Sequence, residues 1–279
     1  MIRNMVTATN TMNQLQQQLD LISNNIANSG TTGYKQTTAN FNSLLHQQIQ
    51  NQRGDQAPRM TPDGLRLGNG ARISQSQLVA TQGTLQRTER DLDFAFTSEH
   101  QYFKVLVQST DGTAEQNFTR DGAFYLTPVN DDEVMLVDAQ GNGILNQNDE
   151  LIMFDGSIEN ITLQDDGTLL VEGAGGIQQT VELGVVDIQR PQLMDRVSSI
   201  YLGIPDNLAE LGVEAGELMV QMEGGLRTDI GLEQGALEQS NVDLSKAFTE
   251  LIEVQRNYQF HSRAVSISDQ MSGLVNGLR

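Results

Sequence analysis

Apolar side chains recur at alternating spacings of four and three residues through the first 28 residues. One series is Met5, Met12, Leu19 and Ile26, and the complementary series is Met1, Ala8, Leu15 and Ile22. The positions between them are mostly polar, so the pattern predicts an amphipathic helix with a narrow apolar stripe. Residues 28–30 (NSG) supply a C-terminal stop, because Asn and Gly tolerate the left-handed conformation. The stripe needs a partner, either within its own domain or in another chain.

Residues 240–279 predict a second, longer helix with a similar stripe. Ser240 and Asp243 stand at capping-box spacing and indicate its start. The stripe runs through Leu244, Ala247, Leu251, Val254 and Tyr258 and then drifts by about one residue into Ala264, Ile267, Met271, Leu274 and Leu278. A drift of this kind favours packing against several neighbours over one strict two-stranded seam.

We therefore expect an assembly interface on both terminal helices. Its predicted residues are Met5, Met12, Leu15, Leu19, Ile22, Asn24, Asn25, Ile26, Asn28, Leu244, Leu251, Val254, Tyr258, Ile267, Met271 and Leu274. The three asparagines belong to this set because their side chains can tie the end of the first helix to the following turn by hydrogen bonds. An ordinary polar helix face is the alternative for these three.

The middle of the chain has the pattern of an antiparallel β domain. Short runs predict strands at Tyr102–Val107, Ala123–Leu126, Glu133–Val137, Ile161–Leu163, Thr168–Val171 and Thr180–Asp187. They are bounded by turn residues, among them Asp-Gly pairs at residues 111–112, 121–122, 155–156 and 166–167, which are typical of hairpin turns. The predicted fold class is mixed α and β, with long N- and C-terminal helices forming a coiled-coil-like assembly region around a central antiparallel all-β domain. The expected division is 1–49 with 240–279 as the helical assembly region, 50–70 as a Gly/Pro-rich linker, 71–225 as the acidic β domain, and 226–239 as a return linker.

Charge and composition exclude several functions. The net charge is −19, and residues 89–238 alone hold 29 Asp/Glu against six Lys/Arg. A surface this acidic repels nucleic-acid phosphates and anionic lipid, so we expect no nucleic-acid partner. No apolar run is long enough to span a bilayer, and no secretory signal is visible, so we expect no membrane insertion. The absence of Cys excludes disulfides and thiolate chemistry.

Catalytic and metal-binding patterns are weak. The three histidines, His46, His100 and His261, have no metal-ligand spacing, so we expect no enzyme activity, cofactor or metal. The loop from Asp138 to Asp149 resembles an EF-hand calcium loop, but Gln140 stands at its third position and Asp replaces the final Glu. A calcium site and a long polar β-turn both remain open for this loop.

Several segments together resemble the flagellar rod and hook protein family. They are LDLISNNIAN (19–28) followed by TTGYK (31–35), TQGTL (81–85), DLDFA (91–95), FTRDGAF (118–124), GALEQSNVDL (235–244) and LIEVQRNYQ (251–259). The resemblance covers essentially the whole chain. Two stretches depart from the family pattern: SEHQ (98–101) replaces a Gly-rich turn, and RVSSIY (196–201) replaces a Gly-Asn-Leu/Tyr stretch.

The resemblance implies a structural subunit of the bacterial flagellar basal-body rod, of distal or proximal type, that self-assembles through its terminal helices. Its implied partners are further copies of the chain, other rod and hook proteins, and the flagellar type III export apparatus, which would export it without a cleaved signal peptide. A short hook or hook-associated component is an alternative within the family. A calcium-binding surface adhesin is an alternative from a different class.

Overall fold

A computed structural model gives the fold of the chain. It describes residues 2–43, 47–49, 65–67, 71–108, 114–130, 133–156, 158–173, 176, 178–205, 208, 212–213 and 215–277. The chain forms two compact units, each assembled from separate segments. The first, the helical unit, comprises Met1–Ile26, Thr37–Gln77 and Asp243–Arg279; the second, the β unit, comprises Ala27–Gln36 and Leu78–Val242.

The described helices are α1 (Ile2–Ala27), α2 (Ala215–Leu218) and α3 (Leu244–Gly277), with 3-10 turns at Pro191–Leu193 and Gly224–Asp229. The strands are β1 (Thr37–Ser43), β2 (Gln47–Ile49), β3 (Leu65–Leu67), β4 (Ala71–Leu78), β5 (Leu85–Arg87), β6 (Phe94–Phe96), β7 (Gln101–Gln108), β8 (Ala114–Thr119), β9 (Tyr125–Pro128), β10 (Glu133–Val137), β11 (Gly143–Ile144), β12 (Met153–Asp155), β13 (Ile158–Leu163), β14 (Thr168–Gly173), β15 (Gln178–Glu182), β16 (Val185–Ile188), β17 (Asp195–Arg196), β18 (Tyr201–Gly203), β19 (Met219–Gln221), β20 (Leu232–Gln234) and β21 (Ala236–Glu238). The mixed α and β class is confirmed: a helix stands at each end and antiparallel strands lie between.

The end of α1 is held by asparagine side chains, as predicted for two of the three. Asn25 is buried; its Nδ2 donates to the carbonyl of Thr37 at 2.8 Å, and its Oδ1 accepts from the Thr37 N–H at 3.0 Å. Asn28 Oδ1 accepts from Thr31 Oγ1 at 3.4 Å, and the Asn28 carbonyl accepts from the Thr31 N–H at 3.1 Å, which closes the turn after the helix. The corresponding role of Asn24 stays a prediction.

Helix α3 begins three residues later than the sequence pattern indicated. Asp243 is the residue before the helix, and its Oδ1 accepts from the N–H groups of Ser245 and Lys246 at 2.9 and 3.1 Å. These are first-turn donors that have no partner inside the helix. Asp243 is therefore the N-cap, and Ser240 lies upstream of the helix. None of the described helices is long and apolar enough to cross a membrane.

The β unit is built around one large antiparallel sheet. Its main path runs β12-β10-β11-β7-β8-β18-β17, with β9 paired to β10 and with β16 paired to both β7 and β19. Strands β13, β14 and β15 form a separate three-stranded sheet. Four Phe rings form the centre of the larger core, with centroids 4.2 to 5.7 Å apart in successive pairs: Phe96, Phe103, Phe124 and Phe94.

Most of the predicted β segments are strands, with two corrections to their connections. The run from Thr180 to Asp187 is divided between β15 and β16 instead of forming one strand. Asp121-Gly122 is not a hairpin turn, because Asp121 is buried and the Gly122 carbonyl accepts from the Phe94 N–H of another strand. Asp166-Gly167 does connect β13 to β14, with Gly167 in the left-handed region at φ 74°. The pair at 111–112 lies outside the described residues.

The two expected linkers contain paired strands where they are described. Leu65–Leu67, within the Gly/Pro-rich stretch, pairs with Gln47–Ile49 in the helical unit. The return segment 226–239 carries β20, which pairs with β6, and β21, which pairs with β5. The rest of 50–70 lies outside the described residues.

Replacing Asn25 by Ala is expected to lower the free energy of unfolding by about 1–3 kcal/mol, because the half-buried Thr37 loses two hydrogen bonds to this side chain. Asn13 is exposed on the same helix. Asn13→Ala is the matched control and should be neutral or slightly stabilising, since Ala favours helix more than Asn does. Denaturant unfolding of both variants measures the difference. Equal stability of the two would show that the Asn25 side chain does not hold the helix end.

Candidate functional site

A ten-residue segment after α1 is part of the β unit. We call this segment, residues 27–36, the strap. The Gly33 N–H donates to the Glu238 carbonyl at 2.9 Å, and Thr32 Oγ1 donates to Asp121 Oδ1 at 2.7 Å. Gly33 has φ 68°, and a Cβ there would lie 2.4 Å from the Asp121 nitrogen. Only glycine satisfies both constraints, so the Gly of the TTGYK motif lets the strap lie directly against the FTRDGAF segment.

The strap is held by three buried ionic side chains from distant parts of the chain, which we call the clasp: Lys35, Arg120 and Glu238. Lys35 Nζ lies 2.5 Å from Glu238 Oε1, and Arg120 Nε lies 2.7 Å from Glu238 Oε2. Their side chains are 4%, 0% and 1% exposed, respectively. One carboxylate is therefore shared by two cations in the protein interior.

The remaining donors of the clasp bind backbone carbonyls. Arg120 Nη1 donates to the carbonyls of Glu99 and Gln101, and Nη2 donates to that of Ser98. Lys35 Nζ also donates to the Thr81 carbonyl at 2.8 Å. These contacts satisfy most of the donors of two buried cations, as burial of a charge requires.

The segment before α3 closes the other side of the clasp. The Gly83 N–H donates to Glu238 Oε1 at 2.8 Å, and a Cβ on Gly83 would lie 1.9 Å from the Gln239 carbonyl oxygen. Asn241 Oδ1 accepts from the Gln36 N–H at 2.7 Å, while its Nδ2 donates to the carbonyls of Val79 and Thr81. The residues that carry the N- and C-terminal family signatures are thus in direct contact within the β unit.

Arg196 also holds the strap, through contacts with Lys35 and Tyr34. Its Nη2 donates to the Lys35 carbonyl at 2.8 Å, and its guanidinium lies over the Tyr34 ring, 4.5 Å from the centroid. A cation over an aromatic face is a favourable contact. Arg196 belongs to one of the two stretches that depart from the family pattern, so this departure supplies a strap contact of its own.

The electrostatics of the clasp are set by burial. Desolvation and the neighbouring Arg120 guanidinium lower the pKa of Lys35 to about 8, although Glu238 acts in the opposite direction. Burial also raises the pKa of Asp121, against the hydrogen bond that Thr32 donates to it. The clasp can pair buried charges and fix the position of the strap, but it offers no nucleophile and no general acid–base pair in an open pocket.

The loop from Asp138 to Asp149 uses its carboxylates for internal contacts. Asp138 is buried and accepts hydrogen bonds from the Tyr201 hydroxyl and from the N–H groups of Gln140 and Asn142. Asp149 Oδ1 lies 2.8 Å from Lys104 Nζ. Strands β10 and β12 flank this loop, whereas an EF-hand loop lies between helices. These contacts favour the polar β-turn interpretation, and the described residues contain no cluster of three or more metal-binding side chains.

The predicted interface residues fall into two groups, all of them in the helical unit except Asn28, which lies in the strap. The buried or half-buried group is Met12, Leu15, Leu19, Ile22, Asn25, Ile26, Asn28, Leu251, Val254 and Tyr258. The exposed group is Met5, Asn24, Leu244, Ile267, Met271 and Leu274. The heptad prediction thus included both residues that are buried within the single chain and residues that are exposed on its surface.

The heptad prediction also left out four large apolar residues that are exposed on α3. Phe248 and Ile252 are 48% and 50% exposed, and Phe260 and Val275 are exposed as well. Phe248 and Ile252 follow Leu244 at intervals of four, a helical spacing that could have identified them. The clasp residues stood within the family signatures, but nothing in the sequence pattern assigned them a role.

Glu238→Gln is expected to destabilise the fold by about 3–5 kcal/mol, because it leaves two buried cations without their carboxylate. The matched control is Glu233→Gln, since Glu233 pairs with an Arg87 side chain that is 86% exposed. That control should stay within about 1 kcal/mol of the original protein. Chemical denaturation of both variants gives the comparison, and a small effect at Glu238 would show that the clasp is not a major source of stability.

Lys35 should make stability depend on pH. Between pH 8 and 10.5 the unfolded chain keeps a proton on Lys35 that the folded chain has released, so this group makes the unfolding free energy rise with pH in that window. Lys35→Met removes the titration, and the stability difference between the original protein and this variant should therefore shift in favour of the original protein from pH 8 to 10.

Lys246→Met is the control for this titration, because Lys246 is exposed on α3. The stability difference measured for this variant over the same pH range gives the general effect of a Lys→Met change and is subtracted. NMR of ¹³C-labelled lysine follows the same titration directly, since the chain has only three lysines. A Lys35 resonance that titrates near the ordinary value of 10.5 would contradict the burial argument.

Comparison with known proteins identifies the family. Residues 5–35 match the family model of flagella basal body rod proteins, and residues 233–278 match that of the flagellar basal body rod FlgEFG protein C-terminal region. The chain is 42% identical to the flagellar hook-basal body complex protein FlhP of Bacillus subtilis, over 100% of both chains. It is 32% identical to the flagellar basal-body rod protein FlgG of Borreliella burgdorferi and 30% identical to that of B. subtilis, covering at least 99% of each chain.

These matches confirm the resemblance seen in the sequence, and they favour neither a hook-associated component nor a surface adhesin. Proteins of this family are structural components of the flagellum and not enzymes, and they associate with other basal-body and rod components. The chain belongs to the flagellar basal-body rod protein family and is a structural subunit of the flagellar basal body.

Proposed function

We propose that this chain assembles with further copies of itself into a helical tube, the part of the rod that links motor and hook, through the apolar faces of its terminal helices. The observation that carries the proposal is the row of large apolar side chains that α3 leaves exposed. These residues are Leu244, Phe248, Ile252, Phe260, Ile267, Met271, Leu274 and Val275. So many exposed apolar residues on one helix indicate an interaction surface.

Most of the exposed row lies away from the buried face of the same helix; the exception is Leu244, which is at heptad spacing from Leu251. Ala247 and Val254 are buried, and Leu251 and Tyr258 are half-buried at heptad spacing with them. At about 100° per residue, Ile267 lies roughly 140° and Met271 roughly 100° around the helix from Val254. The helix can therefore pack inside its own subunit and still present apolar side chains to others.

The composition of the exposed row supports association by apolar contacts. Full burial of a Leu, Ile, Phe or Met side chain contributes roughly 1.5–3 kcal/mol. A few such residues per neighbour are enough to offset the ordering and translational costs of association, which are estimated at about 4–15 kcal/mol. Because a heterologous contact repeats from copy to copy, it generates a helical polymer when the rotation does not close.

Several finer features belong to the same proposal. We expect residues 1–49 and 240–279 to form the assembly region, with 71–225 as the outer body and 50–70 and 226–239 as the connections. The predicted residues Met5, Leu244, Ile267, Met271 and Leu274 contribute to the subunit interface. The chain reaches the rod through the flagellar export apparatus without cleavage of a signal peptide. Its helices form coiled-coil-like contacts with those of neighbouring copies.

Complementation of a strain in which the gene is deleted tests the proposal. The deletion should abolish hooks and filaments in electron micrographs and swimming in soft agar. The full-length chain should restore both, whereas chains lacking residues 1–28 or 241–279 should not. The double variant Phe248→Ser/Ile252→Ser should also fail, because it makes two exposed interface positions polar.

Two controls separate assembly from folding. The double variant should keep the circular dichroism and unfolding midpoint of the original purified protein, since both residues are about half exposed. Val254 is 4% exposed, so Val254→Ser should lower the stability of the monomer itself. Gln259→Ser changes an exposed polar residue and should restore motility. Normal flagella in the Phe248/Ile252 variant would contradict the proposed interface, and normal flagella in the deletion strain would contradict an essential rod role.

A further inference from the structure

A small cavity lies beside the clasp, inside the β unit. The space within it that is open to the centre of a water-sized sphere is about 10 Å³. Lys35, Tyr102, Arg120 and Arg196 contribute polar groups to its lining, and Leu78 and Leu202 are among its apolar walls. No Asp or Glu is among the described lining residues.

The Tyr102 hydroxyl is the first sign that this cavity has an occupant. Tyr102 is 2% exposed, and its oxygen has no hydrogen-bond partner among the described residues. A buried hydroxyl without a partner is unusual in a native protein and calls for an explanation. Burial raises the pKa of Tyr102 to about 12, so the hydroxyl keeps its proton and remains a donor at neutral pH.

The cations of the clasp have unused donors as well. An ammonium has three N–H groups, and Lys35 uses two of them, on Thr81 and Glu238. A guanidinium has five, and Arg120 makes four hydrogen bonds with described acceptors. The Tyr102 hydroxyl and at least one N–H of each of these two cations therefore lack acceptors among the described residues, and all three residues line the cavity.

The net charge of the groups around the cavity is positive, which also favours an occupant that accepts hydrogen bonds. Lys35 and Arg120 share the single carboxylate of Glu238, so the clasp carries one excess positive charge, and Arg196 adds a third cation to the lining. Glu99 and Asp187 act on Lys35 and Tyr102 from outside the cavity. An occupant that only accepts hydrogen bonds and carries negative charge would satisfy both the donors and the charge.

We propose that the cavity bounded by Tyr102, Lys35, Arg120 and Arg196 binds one small monatomic anion of the halide class. A water molecule would bring two hydrogens of its own to a lining whose three cationic side chains can only donate and whose only side-chain acceptors among the described residues are the hydroxyls of Tyr102 and Ser199. So small a space favours a monatomic anion over a polyatomic one such as sulfate. The bound halide accepts from the Tyr102 hydroxyl and the spare N–H groups and balances the excess charge of the clasp. This binding stabilises the single chain and does not depend on the assembly proposal.

Thermal unfolding of the full-length monomer at constant ionic strength tests the proposal. The comparison is sodium chloride or bromide against sodium gluconate, whose anion is too large for the cavity. A ligand at ten times its Kd favours the folded state roughly elevenfold. The unfolding temperature should therefore rise with the logarithm of halide concentration and stay constant in gluconate. Identical unfolding curves in chloride and gluconate overturn the proposal.

Tyr102→Phe removes only the hydroxyl and should weaken or abolish the halide-dependent rise. Tyr125→Phe is the matched control, since Tyr125 is exposed on β9, and should leave that rise unchanged. Crystals soaked in bromide give an independent measurement. An anomalous peak within hydrogen-bond distance of Tyr102 Oη supports the site, whereas a cavity without bromide, including one that holds a water, overturns it whatever the stability of the variants.

Discussion

The sharing of one buried carboxylate between two cations is the interaction on which the β unit depends. Glu238 holds Lys35 and Arg120, residues that lie 203 and 118 positions away in the chain. A buried charge without a partner is costly, so none of the three can leave its place alone. The strap before the β strands and the return segment after them are therefore fixed to each other and to the FTRDGAF segment. The motifs by which the family is recognised are largely the residues that form or surround this contact.

The two departures from the family pattern can be understood from the same contact. Residues 98–101 bind Arg120 through the backbone carbonyls of Ser98, Glu99 and Gln101, so their side chains can change without loss of the hydrogen bonds. In the other stretch, the Arg196 side chain itself binds the Lys35 carbonyl. The first departure preserves the contact because the backbone makes it, and the second adds a contact made by a side chain.

Sequence periodicity could predict the elements but not the clasp. The two terminal helices and most of the strands follow from spacing, because burial of one face leaves a regular apolar pattern. Lys35, Arg120 and Glu238 are charged, and a pattern of apolar positions assigns such residues to the surface. Their burial depends on pairing between segments far apart in the chain, which local spacing does not record. The return segment was expected to be a linker because its short strands pair with β5 and β6, which are far from it in the sequence. On α3 the heptad pattern predicted one continuous apolar stripe, so it did not separate the residues that are buried within the chain from those that are exposed.

The charge distribution and the exposed apolar row have complementary consequences for an assembly. The six cations of residues 89–238 all contact groups within the β unit. Arg90, Lys104, Arg120 and Arg190 form ion pairs, and Arg196 and Arg227 donate to backbone carbonyls. With the cations engaged in this way and 29 acidic residues in the same stretch, the field around the β unit is negative. Two copies of the chain brought together would therefore repel each other through these units. Apolar contacts carry no such repulsion, and the large exposed apolar side chains are concentrated on α3. A polymer of this chain would thus gain its cohesion from the helices, while the acidic units oppose association in any other register.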